Sequence, residues 1–105
     1  MKKIECVVRQ EKFETIRDAI KHSGIGGMTS YEVSGFGNRR ARGRGLIKSY
    51  KIEIYTDDFQ VDSIVDLIMK SARTGNGETG DGKIAVFDME KLYRIRTGEE
   101  GARAV

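Results

Sequence analysis

"SYKIEIYTDDFQVDSIVDLIMKSA", Ser49 to Ala72, sets two periodicities back to back, and reading them decides the fold. Tyr50, Ile52 and Ile54 alternate with Lys51, Glu53 and Tyr55, the two-residue repeat of a strand with one buried face. From Val61 the repeat changes. Val61, Ile64, Val65, Ile68, Met69 and Ala72 advance alternately by three and by one, an apolar stripe along one side of a helix. "KIAVF", Lys83 to Phe87, is a strand again, so this half of the chain reads β-α-β.

The preceding half repeats the pattern. In "KKIECVV", Ile4, Cys6 and Val8 alternate with Lys3, Glu5 and Val7. Between Lys12 and Ser23, Phe13, Ile16, Ala19 and Ile20 form a second helical stripe, with Gly24 placed to stop it. "MTSYEVSGF", Met28 to Phe36, is a strand rich in Thr, Tyr and Val. Two β-α-β halves predict an α+β, ferredoxin-like βαββαβ sandwich, with an antiparallel four-stranded sheet and both helices on one face. At 105 residues this is a single domain, residues 1–105. Two helices cover one face only, so the other is expected to meet further copies of the chain.

Charge is modest in total and uneven in place. Nineteen basic residues face sixteen acidic ones. Between Glu32 and Glu53 there is no carboxylate, while Arg39, Arg40, Arg42, Arg44, Lys48 and Lys51 all fall there. That stretch is a local positive field suited to a protein partner or an anion. One cysteine excludes an internal disulfide, and no apolar run reaches the roughly 20 residues needed to cross a bilayer. A cytoplasmic, non-spanning protein is the expectation.

Three segments lie outside the repeat: residues 36–48, residues 74–83 and a tail from Asp88. "TGNGETGDGK", Thr74 to Lys83, contains the spacing G-x-x-x-x-G-K from Gly77 to Lys83, but Ile84 stands where a magnesium-binding hydroxyl belongs. The order is also inverted, because this loop leaves a helix and enters a strand. An NTPase P-loop is therefore rejected, and what remains is a glycine-rich turn able to converge amides on an anion, with Lys83 as a point charge. In "YRIRTGEE", Tyr93 to Glu100, Arg94 and Arg96 are two apart, which in an extended segment places them on one side as a clamp. Catalytic and metal constellations are missing: His22 sits at a helix end, Cys6 reads as core, and Asp57 with Asp58 reads as a helix N-cap.

These motifs, taken in order, resemble the PII signal-transduction proteins. "MKKIECVVR", "GMTSYEVSGFG", "KIEI", "ARTGNGETGDGKIAVF" and "RIRTGE" carry the likeness over nearly the whole chain. The resemblance implies a non-enzymatic homotrimer that binds an adenine nucleotide, ADP, ATP or AMP, in clefts between subunits and regulates a partner protein: a transporter, an enzyme or a transcriptional regulator. It implies that Gly35 and Gly37 lie against the nucleotide and that Gly80, Asp81, Gly82 and Lys83 wrap its phosphates. Arg94 and Arg96 would arrive from the neighbouring subunit, and Thr29, Glu53 and Tyr55 would touch the adenosine end.

Departures accompany the likeness. The long T-loop is reduced to residues 36–48, with no tyrosine between Tyr31 and Tyr50, which removes regulation by tyrosine modification. Asn38 and Arg39 replace a basic residue and a magnesium-holding glutamine, and Ser49 stands where a lysine would meet 2-oxoglutarate. The B-loop, residues 74–83, is two residues longer than T-G-x-x-G-D-G-K, and the C-terminal loop spans 93–100. Weak or absent 2-oxoglutarate sensing follows, with magnesium left open and a small anion such as bicarbonate as a conceivable second ligand of Arg39, Arg40, Arg42 and Arg44. The alternative is an RNA-binding module of the same topology, but the third strand lacks the stacking aromatics such a module uses, so no specific nucleic acid is expected.

Overall fold

The computed structural model describes residues 1–37 and 45–105. Strand β1, Lys2–Arg9, passes through a 3-10 turn into helix α1, Phe13–His22. Strands β2, Thr29–Gly35, and β3, Ile47–Thr56, precede helix α2, Val61–Ala72, and strand β4, Gly82–Asp88, ends the repeat. The sheet order is β2-β3-β1-β4, every neighbouring pair is antiparallel, and the predicted ferredoxin-like architecture is what the chain adopts.

Alternation in the sequence becomes two faces in the sheet. Ile4, Cys6 and Val8 of β1 and Ile52 and Ile54 of β3 point to the helix side, where Ile16 and Ile20 of α1 and Ile64, Ile68 and Ala72 of α2 complete a fully buried core. Burial pushes the Cys6 thiol up to about 11, so it packs as a small apolar group. Phe13 stacks on Tyr50 with ring centroids 4.1 Å apart, fastening the start of α1 to β3.

The start of α2 differs from expectation. A 3-10 turn, Asp58–Gln60, intervenes, and the Asp57 side chain makes no capping bond. Asp58 instead accepts a hydrogen bond from the N-terminal ammonium at 2.7 Å, which holds its carboxyl below the usual carboxylate range. The chain start lies beside this corner, and a full positive charge outcompetes a helix-end amide for the carboxylate.

On the uncovered face, strand register sets side chains in rows. Lys83, Val7, Lys51 and Tyr31 form one row, and Ala85, Glu5, Glu53 and Thr29 the next. Phe87, Lys3 and Tyr55 form a third. Lys3 lies 4.8 Å from the Phe87 ring centroid, and Glu5 lies 3.8 and 3.7 Å from the Lys3 and Lys51 ammonium groups.

Candidate functional site: two half-sites on one sheet

The loop between α2 and β4 is wound around one carboxylate. Asp81 Oδ2 accepts the backbone N–H of Thr74 at 3.1 Å and of Glu78 at 2.9 Å, while Oδ1 accepts Arg9 Nε at 3.0 Å. Arg9 Nη2 also donates to the Thr79 carbonyl at 2.9 Å. Burial would raise the Asp81 pKa, but the Glu78 and Thr74 amides and the Arg9 guanidinium outweigh it and hold the carboxyl well below the ordinary range. Gly77 N–H donates to the Thr74 carbonyl and Asp81 N–H to the Glu78 carbonyl, closing the coil. Gly75, Gly77, Gly80 and Gly82 all carry positive φ, which explains the density of glycine.

These contacts give the predicted loop residues distinct roles. Asp81 faces inward, with both oxygens engaged, and is the loop's internal anchor. Lys83 is exposed. Gly35 and Gly37 have ordinary φ, and a Cβ added at either meets nothing within 4 Å among the described residues, so nothing described within the subunit demands glycine there. A cleft of about 150 Å³ lies between α2 and β4 below the loop, lined by Met69, Ala72, Arg73 and Ile84 among others.

A second cluster gathers on the open face at the start of β2, in the row next to that of Lys83. Thr29 pairs directly with Glu53, and Tyr55 follows on the same face. The Tyr31 hydroxyl donates to Glu53 Oε2 at 2.8 Å, fixing that carboxylate. Arg94 belongs here too: its Nη2 donates to the Val105 carbonyl at 2.7 Å, and Val105 packs so closely on Gly26 that a Cβ there would lie 2.6 Å from Val105 Cγ1. Gly26 leads into β2, so the tail ties Arg94 to the segment that precedes Thr29.

Arg96 departs from expectation. Residues 94–98 are not extended but turn, with Gly98 N–H donating to the Arg94 carbonyl at 2.8 Å, Arg94 N–H donating to Glu99 at 2.9 Å and Gly98 at φ 72°. Arg94 is partly covered and Arg96 stands exposed on the turn, so they are not a parallel pair from one strand. Glycine at 98 lets the chain reverse before the two-residue alternation can operate. Arg39, Arg40, Arg42 and Arg44 lie outside the described residues.

Thr29 and Gly35 are the two ends of β2, six residues and about 20 Å apart at the rise of a strand. The predicted residues thus form two groups on one sheet, the glycine loops with Lys83 and the cluster of Thr29, Glu53 and Tyr55, with Lys83 on the opposite edge strand from Thr29 and in the adjacent row. Sequence reasoning missed Arg9 and Tyr31 in them. Arg9 ends a strand 72 residues before its partner Asp81, and no local pattern announces that contact.

Residues 1–99 match the family described as Nitrogen regulatory protein P-II. The chain belongs to the P-II family. Similar proteins bearing that name include those of Nostoc punctiforme, 44% identical, and Pasteurella multocida, 41% identical, each alignment covering all of both chains. Nitrogen regulatory protein P-II 1 of Escherichia coli K12 is 42% identical on the same terms. P-II proteins are regulatory signal transducers and not enzymes, which assigns this chain its class. The alignments extend over 114 positions, nine more than the residues of this P-II chain. Among the described residues no helix is long and apolar enough to cross a membrane.

Proposed function

We propose that this P-II protein is a homotrimeric sensor that binds ADP, ATP or AMP between subunits and reports the bound state to a partner protein through the arginine-rich loop. The observation that carries the reading is the separation of the half-sites. One sheet presents an anion-ready glycine loop with Lys83 at one edge and Thr29 with Glu53 and Tyr55 toward the other, while Gly35 stands about 20 Å from Thr29 along β2. Apposing the two edges of neighbouring copies brings a phosphate-binding wall to an adenosine-binding wall, with Arg94 and Arg96 supplied by the neighbouring subunit. The open sheet face supplies the contact between copies.

Several features support a reduced form of this switch. Nine unmatched alignment positions fit a shortened effector loop. Ser49 at the position of the 2-oxoglutarate lysine, and Asn38 and Arg39 before it, favour weak or absent 2-oxoglutarate sensing and leave no evident magnesium ligand. Arg39, Arg40, Arg42 and Arg44 suit an acidic partner surface or a small anion such as bicarbonate. RNA binding is not favoured by the open face: Tyr31, Tyr55 and Phe87 lie there, but Lys51 lies over the Tyr31 ring and Lys3 over the Phe87 ring, and the Tyr31 hydroxyl is bonded to Glu53, so two of the three rings are already engaged within the subunit.

Calorimetric titration with ATP, ADP and AMP, each with and without magnesium and 2-oxoglutarate, tests the reading. One nucleotide per subunit is expected, with affinity unmoved by 2-oxoglutarate. Lys83→Ala and Arg94→Ala each remove a charge-assisted contact and are expected to weaken binding about tenfold or more. Unchanged affinity in both variants would overturn this placement of the ligand.

A further inference from the structure

We infer that Arg9 is the positioning residue of the phosphate loop and the counter-charge that makes the loop receptive to polyphosphate. The inference rests on the nucleotide reading above and adds to it a residue that touches no ligand.

The chemistry of the loop poses a problem that Arg9 solves. A loop built to receive phosphate is wound around a carboxylate, and an uncompensated carboxylate there repels the ligand. Asp81 cannot be dispensed with, because its Oδ2 gathers the Thr74 and Glu78 amides that shape the coil. Arg9 resolves the conflict from the end of β1. Its Nε meets Asp81 Oδ1 at 3.0 Å and its Nη2 meets the Thr79 carbonyl at 2.9 Å, so one planar fork neutralises the charge and pins the middle of the loop. Both side chains are largely covered, 11% exposed for Arg9 and 19% for Asp81, so the pair is only weakly screened by solvent and salt. β1 is a central strand, paired on both sides, so the loop is tied to the stiffest part of the sheet.

Two consequences separate this role from a merely structural one. Loss of Arg9 exposes the ligand to the charge of Asp81, so the penalty grows with ligand charge, smallest for AMP and largest for ATP, while adenosine is spared. Lysine at position 9 restores the charge but not the fork, and recovers part of the loss.

The test is calorimetric titration of the full-length wild type, Arg9→Ala and Arg9→Lys with adenosine, AMP, ADP and ATP. For Arg9→Ala the expected loss is about tenfold for ADP, larger for ATP and under about twofold for adenosine, as for one charge-assisted contact. Arg9→Lys is expected to fall between alanine and wild type. If Arg9→Ala fails to fold, Arg9→Lys alone decides: a loss graded with ligand charge sustains the inference, and a loss equal for adenosine and ATP overturns it. Wild-type binding that Arg9→Ala leaves unchanged overturns the inference alone. A wild type that binds no nucleotide overturns the nucleotide reading and this inference with it.

Discussion

Gly82 opens β4 at φ +116°, and a Cβ there would collide with the Val7 carbonyl oxygen. Neither half of that constraint can be relaxed, because Val7 is held in the central strand and φ is set by the loop behind it. Gly82→Ala is expected to cost roughly 2–4 kcal/mol in denaturant unfolding, strain and steric overlap together. Asp81 makes a second prediction at this scale. Its folded pKa is depressed, so the stabilisation it provides is fully present above the unfolded value of 3.8 and is lost as pH falls through the folded one. Wild-type stability should therefore drop as pH falls below about 4, and Asp81→Asn should flatten that part of the profile in urea unfolding at stepped pH. The glycines and Asp81 were legible as a loop motif in the sequence. Their division of labour was not, because the role of Asp81 depends on Arg9, far away along the chain.

At the scale of elements, the apolar stripe of α2 was read correctly in kind but not evenly in burial. Ile64, Ile68 and Ala72 are fully buried, whereas Met69 at the edge of the stripe remains 44% exposed beside β4. Ile68, wholly enclosed, is expected to lose about 2–5 kcal/mol on truncation to alanine, while Met69→Ala should cost much less, a contrast that paired unfolding curves would measure. Periodicity names a helix's inward side, but it does not say how wide a strip the neighbouring sheet covers. The same gap explains the segment at 94–98, where alternate spacing suggested a paired clamp and the chain turned at Gly98 instead. It also explains Asp58, drawn away from the helix start by an ammonium group that only the fold brings near.

At the scale of the whole molecule, the open face is the unfinished part of a single chain. Phe87 is 43% exposed there, with Tyr31 equally so and Tyr55 close behind. Phe87→Asp would bury a charge in any contact between copies. It is expected to lower the mass seen by sedimentation from three copies toward one and to abolish nucleotide binding in parallel; an unchanged mass would dissociate this face from assembly. The sequence by itself determined the βαββαβ order, the alternation of β1 and β3, the apolar sides of both helices, and the candidate loops, because periodicity and glycine chemistry are local and survive without knowledge of distance. The tertiary structure alone decided which residues share a site. Strand register put Thr29 beside Glu53 and about 20 Å from Gly35, the packing of the tail joined Arg94 through Val105 to Gly26, and the end of β1 delivered Arg9 to Asp81. Such groupings depend on contacts between residues remote in sequence, and they come into being only when the sheet forms.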